Sequence, residues 1–371
     1  MSGAPVLLLG SASIHVARVA RGLCEAGQPV VLATHGALAM EHHPLLLDAT
    51  EIDLSVLNWR TPHRLRELIT RWSPRVVHAQ QANSVGWHAA RAVRGTGVPM
   101  VLTLWGSDVL TLPSRSPLHR WMVKRALRGA SAWTADANVL LDAARQLVGD
   151  VGDVGDTGEA SEANSTPPIE RVWIPLGIPE PVAMPEVPRE RRILSCRLHK
   201  PLYRIDAILR AFARLPGRCQ AWRLEVASGG PQTDELRRLA AALGVAERVD
   251  FTGVLDASAL ARSYHRAAVF ASVPETDGTS VSLLEAMAAG CVPVLSDLPA
   301  NREWVTEGRN GFLAPDLSQL DQALLRAVDT WESGEWARSG QPFNAATVRD
   351  KALFSRNIQQ FLALYDRLPC P

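Results

Sequence analysis

Cysteine is scarce in this 371-residue chain: Cys24, Cys196, Cys219, Cys291 and Cys370 are an odd set with no C-x-x-C spacing. That excludes a disulfide framework and a cysteine zinc site, and points to a reducing compartment. Net charge is small as well. Thirty-nine Lys+Arg face 38 Asp+Glu, leaving +1, so no global field would draw the chain onto nucleic acid. No apolar run approaches the roughly 18 residues that a membrane-spanning helix needs. The opening Met1–Gly10 has no basic residue ahead of its short apolar run. It reads as a buried strand rather than a signal peptide, and the expected location is cytoplasmic. A G-x-G-x-x-G turn, a Walker lysine loop, a G-x-S-x-G elbow and an H-E-x-x-H helix are all missing. Dinucleotide oxidoreductases, P-loop enzymes, α/β-hydrolases and zinc proteases are therefore poor readings. His42-His43-Pro44 is an isolated pair, and no metal site is expected.

What is present is an alternation. Short apolar runs at Val6–Leu9, Val30–Ala33, Val76–Ala79 and Met100–Leu104 are separated by helical patterns at Ile14–Ala26, Pro62–Trp72 and Ser84–Arg94. The pattern restarts with strands at Ile193–Cys196, Arg223–Ala227, Val249–Thr252, Val269–Ser272 and Val292–Leu295. Helices are expected at Ile205–Leu215, Thr233–Leu243, Ala257–Arg266 and Val281–Ala289. Continuous apolar strands between amphipathic helices predict βαβ units and parallel sheets covered on both faces. The expected class is α/β, with two Rossmann-like domains facing a central cleft. The expected limits are 1–176 for the first domain, 177–190 for a proline-rich linker, 191–345 for the second, and 346–371 for a C-terminal helix able to pack back on the first. Within the first, 149–168 combines Gly, Asp, Glu, Ser and Pro with almost no apolar residue, the composition of a disordered insertion.

Residues 1–148 hold 15 Lys+Arg against 9 Asp+Glu. Five of those cations (Arg115, Arg120, Lys124, Arg125, Arg128) lie in 115–128 beside Trp121, Met122 and Leu127. The segment reads either as a solvated helix face or as a peripheral membrane contact.

The chemistry concentrates in Pro274–Leu295. A loop with Gly278, Thr279 and Ser280 feeds a helix beginning at Val281, whose first amides can hold phosphate or sugar oxygens. Asp277 precedes that helix and Glu285 lies eight residues later. A carboxylate there can accept two hydrogen bonds from a ribose diol; the plainer reading is a surface helix acid.

The stretch DGTSVSLLEAMAAGCVPVLSD resembles the acid-x7-acid signature of retaining family-4 glycosyltransferases, which have the two-domain GT-B fold. Ser195-Cys-Arg-Leu198 with Ile205–Phe212, Ala227-Ser-Gly-Gly-Pro231, Val249–Gly253, Asn301-Arg-Glu303 and Gly308–Phe312 are similar to further landmarks of that family, as are Val77-His-Ala79, Trp105–Asp108 and Ile174–Gly177. The resemblance implies a hexosyltransferase-type, metal-independent enzyme without a cofactor. Its co-substrate would be a UDP- or GDP-linked sugar, and its acceptor a carbohydrate, lipid-linked or small-molecule hydroxyl in polysaccharide or glycoconjugate synthesis. Glu285 would hold the ribose, with Asp277, Gly278, Thr279, Ser280, Val281 and Gly229 around the donor sugar and phosphates. Arg197 would meet the leaving diphosphate, with Lys200 or Arg204 as the second cation. His78, Gln80, His15, Gly10 and Asp108 would lie on the acceptor side. The sequence departs from the pattern at Asp277, where Glu is usual, and at Gln80, where His is frequent; Glu275 could substitute for Asp277. A nucleotide-sugar epimerase of the same fold and a non-catalytic nucleotide-sugar-binding partner are the alternatives.

Overall fold

In the computed structural model, residues 3–149, 169–180 and 188–369 are described. The acidic insertion expected at 149–168 falls, from 150 onward, outside the described residues, as does 181–187 of the expected linker.

The chain divides into two compact units, one made of Met1–Leu176 with Phe354–Pro371 and the other of Gly177–Leu353. The first unit is built on β1 (Val6–Ser11), β2 (Val30–His35), β3 (Leu46–Glu51), β4 (Val76–Gln80), β5 (Met100–Leu104), β6 (Ala132–Ala135) and β7 (Glu170–Trp173). These run in the order β3-β2-β1-β4-β5-β6-β7, every neighbouring pair parallel. Strands such as Val6–Leu9 are apolar without a break because helices cover both faces, leaving those four residues fully buried. The chain works outward from β1 to β3, then restarts beside β1 with β4. That reversal opens a crevice at the carboxyl ends of β1 and β4.

The second unit repeats the plan with β8 (Glu190–Ser195), β9 (Arg223–Ala227), β10 (Val249–Gly253), β11 (Ala267–Ser272), β12 (Val292–Ser296) and β13 (Phe312–Ala314). Their order is β10-β9-β8-β11-β12-β13, again all parallel. The reversal here falls between β8 and β11. Ile193, Phe212, Trp222, Val269, Val294 and Leu324 belong to one buried cluster beneath it.

Three strands carry no long apolar run and were not expected. β3 is an edge strand whose residues alternate between exposed and half-buried, β6 is only Ala-Trp-Thr-Ala, and β13 has three residues. The helical tail is also not continuous. Helix Gly340–Lys351 ends in the second unit, and helix Phe354–Arg367 starts anew in the first. Ile358, Phe361, Leu364, Tyr365 and Leu368 of the tail join Val6, Leu8, Val19 and Leu23 in one apolar cluster. Gly22 makes this possible: a Cβ there would come 2.6 Å from the Phe354 ring. Burying those five side chains contributes on the order of 1.5–3 kcal/mol each.

The basic segment forms helix Pro117–Arg128 with Ser116 as its N-cap, the Ser116 hydroxyl accepting from the His119 amide. Met122 and Leu127, grouped above with a membrane-facing side, are buried in the unit's interior instead. The apolar residues it presents to solvent are Leu118 and Trp121. Among the described residues, no helix is long and apolar enough to cross a membrane.

Candidate active site

In the second unit, β8 and β11 flank the topological switch, and the segments that leave their carboxyl ends supply the cluster. Arg197 stands two residues beyond β8. The loop 273–280 leaves β11 and enters helix Val281–Ala289. That helix is anchored by buried Leu283, Leu284, Ala286 and Met287 and stops at Gly290 in the left-handed region (φ +87°). A Cβ at Gly290 would fall 2.7 Å from the Arg189 guanidinium, so only glycine ends the helix there.

The Arg197 side chain is 13% exposed and is held on three sides. Its Nη2 pairs with Asp277 Oδ2 at 2.8 Å, its Nη1 donates to the Ser280 hydroxyl, and its guanidinium lies over the Tyr203 ring, 4.5 Å from the centroid. Ser280 and Ser282 exchange a 2.9 Å hydroxyl contact. Ser280 is the N-cap residue, yet its side chain makes no capping bond. The Leu283 amide turns back to the Ser280 carbonyl at 3.0 Å, which leaves the Val281 and Ser282 amides without an acceptor inside the helix, and the positive end of the helix dipole lies beside a fixed guanidinium. Burial pushes the Asp277 carboxyl up, against the downward pull of Arg197 and the Gly278 amide. Asp277 and Arg197 raise each other's stake in staying charged, so the guanidinium is a permanent cation at this spot.

Glu285 lies half-buried one and a half turns along the helix. The Tyr264 hydroxyl bonds its carboxylate and also meets the Cys196 thiol at 3.2 Å. Sequence reasoning missed Tyr264, Tyr203, Ser282 and Trp304; three come from other elements, and only Ser282 was signalled, by its place in the helix's first turn. Trp304 Nε1 donates to the Thr279 hydroxyl at 2.9 Å, so Thr279 fixes the loop through its side chain. Gly278, Thr279 and Ser280 are all buried at the loop.

The two second-cation candidates differ. Lys200 is exposed. Arg204 takes a left-handed conformation (φ +50°) and is shared between Asp206 at 3.3 Å and Glu275 at 3.5 Å. Glu275 is thus engaged with Arg204, while Asp277 is the acid beside Arg197. In the 228–231 turn, a Cβ on Gly229 would have open space, with nothing nearer than Val254 at 3.8 Å, whereas one on Gly230 would sit 2.6 Å from the His199 carbonyl oxygen. The glycine the backbone requires is Gly230, and the strained neighbour is Ser228 at φ +81°.

In the first unit the predicted residues meet, but as a closed network. His78 is fully buried. Its Nδ1 is 2.6 Å from the Tyr365 hydroxyl, its Nε2 is 2.6 Å from Thr103 Oγ1, and Gln80 Nε2 is 3.1 Å from His78 Nε2. The Gln80 amide nitrogen can only donate, so Nε2 accepts and Nδ1–H donates to Tyr365. Trp105 Nε1 donates to Gln80 Oε1 at 3.0 Å. Desolvation lowers the His78 pKa to about 3. Both ring nitrogens of His78, the residue expected to be catalytic, thus face protein partners in this structure. Gln80 and Asp108, expected on the acceptor side, are held by protein partners as well. Asp108 is buried, accepting from the amides of Ala82 at 2.7 Å and Trp105 at 3.0 Å, and it ties together the turns after β4 and β5. Gly10 is there for space, since a Cβ would meet Val16 at 2.6 Å. His15 alone stays partly exposed, edge-on to Trp105 with ring centroids 5.1 Å apart.

Among the described residues, no group of three or more His, Cys, Asp or Glu is placed to hold a metal ion.

Comparison with known proteins agrees with this layout. Residues 190–330 match the model of glycosyl transferases group 1, and residues 5–137 match that of glycosyl transferase 4-like proteins. The chain is similar to the GDP-mannose-dependent alpha-(1-6)-phosphatidylinositol monomannoside mannosyltransferase of Mycolicibacterium smegmatis, 35% identical over 131 residues, 33% of this chain and 34% of that one. It is also similar to D-inositol 3-phosphate glycosyltransferase 2 of Catenulispora acidiphila, 33% identical over 192 residues, 46% of this chain and 44% of that one. The chain thus spans less than half the length of the curated relatives it matches. Among solved structures, Anabaena HepE in complex with UDP superimposes with a TM-score of 0.77 at 15% identity, covering 98% of this chain and 100% of that one. Sucrose-phosphate synthase from Thermosynechococcus elongatus gives 0.77 at 17% identity, covering 98% and 99%.

Proposed function

Because this chain belongs to the group 1 glycosyltransferases and has their two-sheet GT-B architecture, we propose that it transfers a sugar from a nucleoside-diphosphate sugar to a hydroxyl acceptor with retention of anomeric configuration. The observation that carries this reading is the Arg197–Asp277–Ser280 cluster at the uncapped start of helix Val281–Ala289, with Glu285 farther along the same helix. A guanidinium that is always charged, packed on Tyr203 and pointed by two oxygens, is arranged before the reaction to meet charge that grows on a departing diphosphate. The helix amides would take the remaining phosphate oxygens. Glu285, oriented by Tyr264, would accept both ribose hydroxyls. Asp277 would face the donor sugar while limiting how far Arg197 can swing. No side chain of the cluster is a free nucleophile, so departure of the diphosphate would lead, with its oxygens drawing the proton from the acceptor. Lys200 is the better second cation, because Arg204 is spent on Asp206 and Glu275.

Two supports bear on the donor. The similar Mycolicibacterium enzyme is named as GDP-mannose-dependent, and the similar Anabaena protein was solved with UDP and with UDP-glucose. Thermal-shift titration with UDP-, GDP- and ADP-sugars decides among them. Nucleotide release should then require an acceptor and be lost in Glu285→Ala, with the fold unchanged by circular dichroism. Near-normal kinetics in that variant would defeat the site. Conversion of the donor to an isomer without acceptor would mean an epimerase, and tight binding without turnover of any donor would mean a binding partner.

A further inference from the structure

A cavity in the first unit lies apart from the donor-side cluster and takes in part of the basic segment, Arg125 and Arg128. It has a volume of about 1280 Å³ and opens beside Pro99 and Ser131, which immediately precede β5 and β6. It therefore lies at the amino ends of these strands, opposite the end that holds Gln80 and Asp108. Arg66, Arg91, Arg94, Arg125 and Arg128 line it, together with Trp87, and no aspartate or glutamate does.

The bland explanation is that arginines gather at helix C-termini, where they meet bare carbonyls. Two of the five fit it. Arg66 donates to the carbonyls of Arg91, Ala92 and Arg94, and Arg128 to that of Val148. Those bonds satisfy dipoles and leave both positive charges uncompensated. The other three also stand at helix C-termini, Arg91 and Arg125 in a last turn and Arg94 as a C-cap residue, but among the described residues their guanidinium groups are not seen bonded to a carbonyl. Arg91 lies over the Trp87 ring at 4.7 Å. Arg94 and Arg125 are exposed, and neither pairs with a carboxylate among the described residues.

Beside these cations stands an apolar rim. Leu118 and Trp121 share a helix face with Arg125, at spacings of three and four residues, and are 61% and 51% exposed. The Trp121 ring is 6.4 Å from that of Trp87. Trp59, itself lining the cavity, is 74% exposed. Guanidinium forks match phosphate oxygens in pairs, and tryptophans flanking them suit the boundary between headgroups and acyl chains. We propose that this cavity seats the phosphate headgroups of an anionic lipid surface, with Trp59, Trp121 and Leu118 entering the layer around it. The proposal concerns a face separate from the donor cluster and stands or falls without it.

The test is co-sedimentation of the full chain with vesicles of phosphatidylcholine alone or with 30 mol% phosphatidylglycerol (about a third of the lipid, a strongly anionic surface). Binding is expected only to the anionic vesicles. Each removed arginine weakens partitioning about fivefold, so Arg94→Ala with Arg125→Ala should bind about twenty-five-fold more weakly. The paired control Arg210→Ala with Arg238→Ala, on exposed arginines of the second unit, should bind as the parent does. Leu118→Ser with Trp121→Ser should also weaken binding, and lies on solvent-exposed positions that the core does not need. Equal sedimentation with both vesicle types, an unchanged double-arginine variant, or equal losses in the control would overturn the proposal. So would saturable binding of soluble glycerol phosphate without vesicle binding.

Discussion

The two units place polar side chains at the same point of the same kind of sheet and use them in opposite ways. At the β1/β4 reversal, His78, Gln80, Thr103, Trp105 and Tyr365 satisfy one another, and the group is closed. At the β8/β11 reversal, Arg197, Asp277, Ser280 and Glu285 form a charged group that stays partly open, with a helix start left without a cap. A switch point thus supplies a place for chemistry, and the residues decide whether that place becomes a site or a seam. The first group fastens the returning tail to the sheet; the second leaves its charges partly exposed.

Four tests bear on that contrast. Arg197→Ala should lower kcat 10²–10³-fold, about 3–4 kcal/mol of transition-state stabilisation, with a smaller change in KM in steady-state assays; a loss confined to KM would make Arg197 a binding group only. His78→Ala should leave kinetics within threefold of the parent but cost about 2–4 kcal/mol of stability in urea unfolding, because it strands the buried Tyr365 hydroxyl and opens a void. Loss of turnover with unchanged stability would return His78 to the active site. The third test uses pH. His78 has its folded-state pKa lowered to about 3, well under the ordinary 6.5. Below pH 6.5 the unfolded chain takes up a proton that the folded chain refuses, so stability falls with acid by about 1.4 kcal/mol per pH unit until pH approaches 3. His78→Gln should flatten that slope by about one proton's worth between pH 6 and 4. Lys200→Ala should raise donor KM by about threefold, and Arg204→Ala should do less. The reverse order would show that Arg204 abandons Asp206 and Glu275 when donor binds.

The second unit was the more legible in sequence. Its helix Val281–Ala289 was expected at the bounds observed, because an apolar repeat lies between a loop and a glycine that only a left-handed cap explains. Asp277 and Arg197 are far apart in the chain, yet both are flagged by the strand that each follows. In the first unit the surroundings of His78 were not legible, because the residues that close around it, Thr103 and Tyr365, come from another strand and from a helix 287 positions away. A polar residue at the end of a strand looks the same in sequence whether its partners are protein or ligand. β3 and β13 were missed because an edge strand need not be apolar and a three-residue strand is too short to stand out.

The tail helix carries one more consequence. Ile358, Phe361 and Leu364 complete the interior of the first unit, but they are synthesised after the whole of Gly177–Leu353. On the ribosome the first half must wait, its sheet lacking one wall, while the second half has everything it needs. The later-made half should therefore mature first, and the nascent chain should carry an exposed apolar strip that chaperones can hold until the last turns emerge.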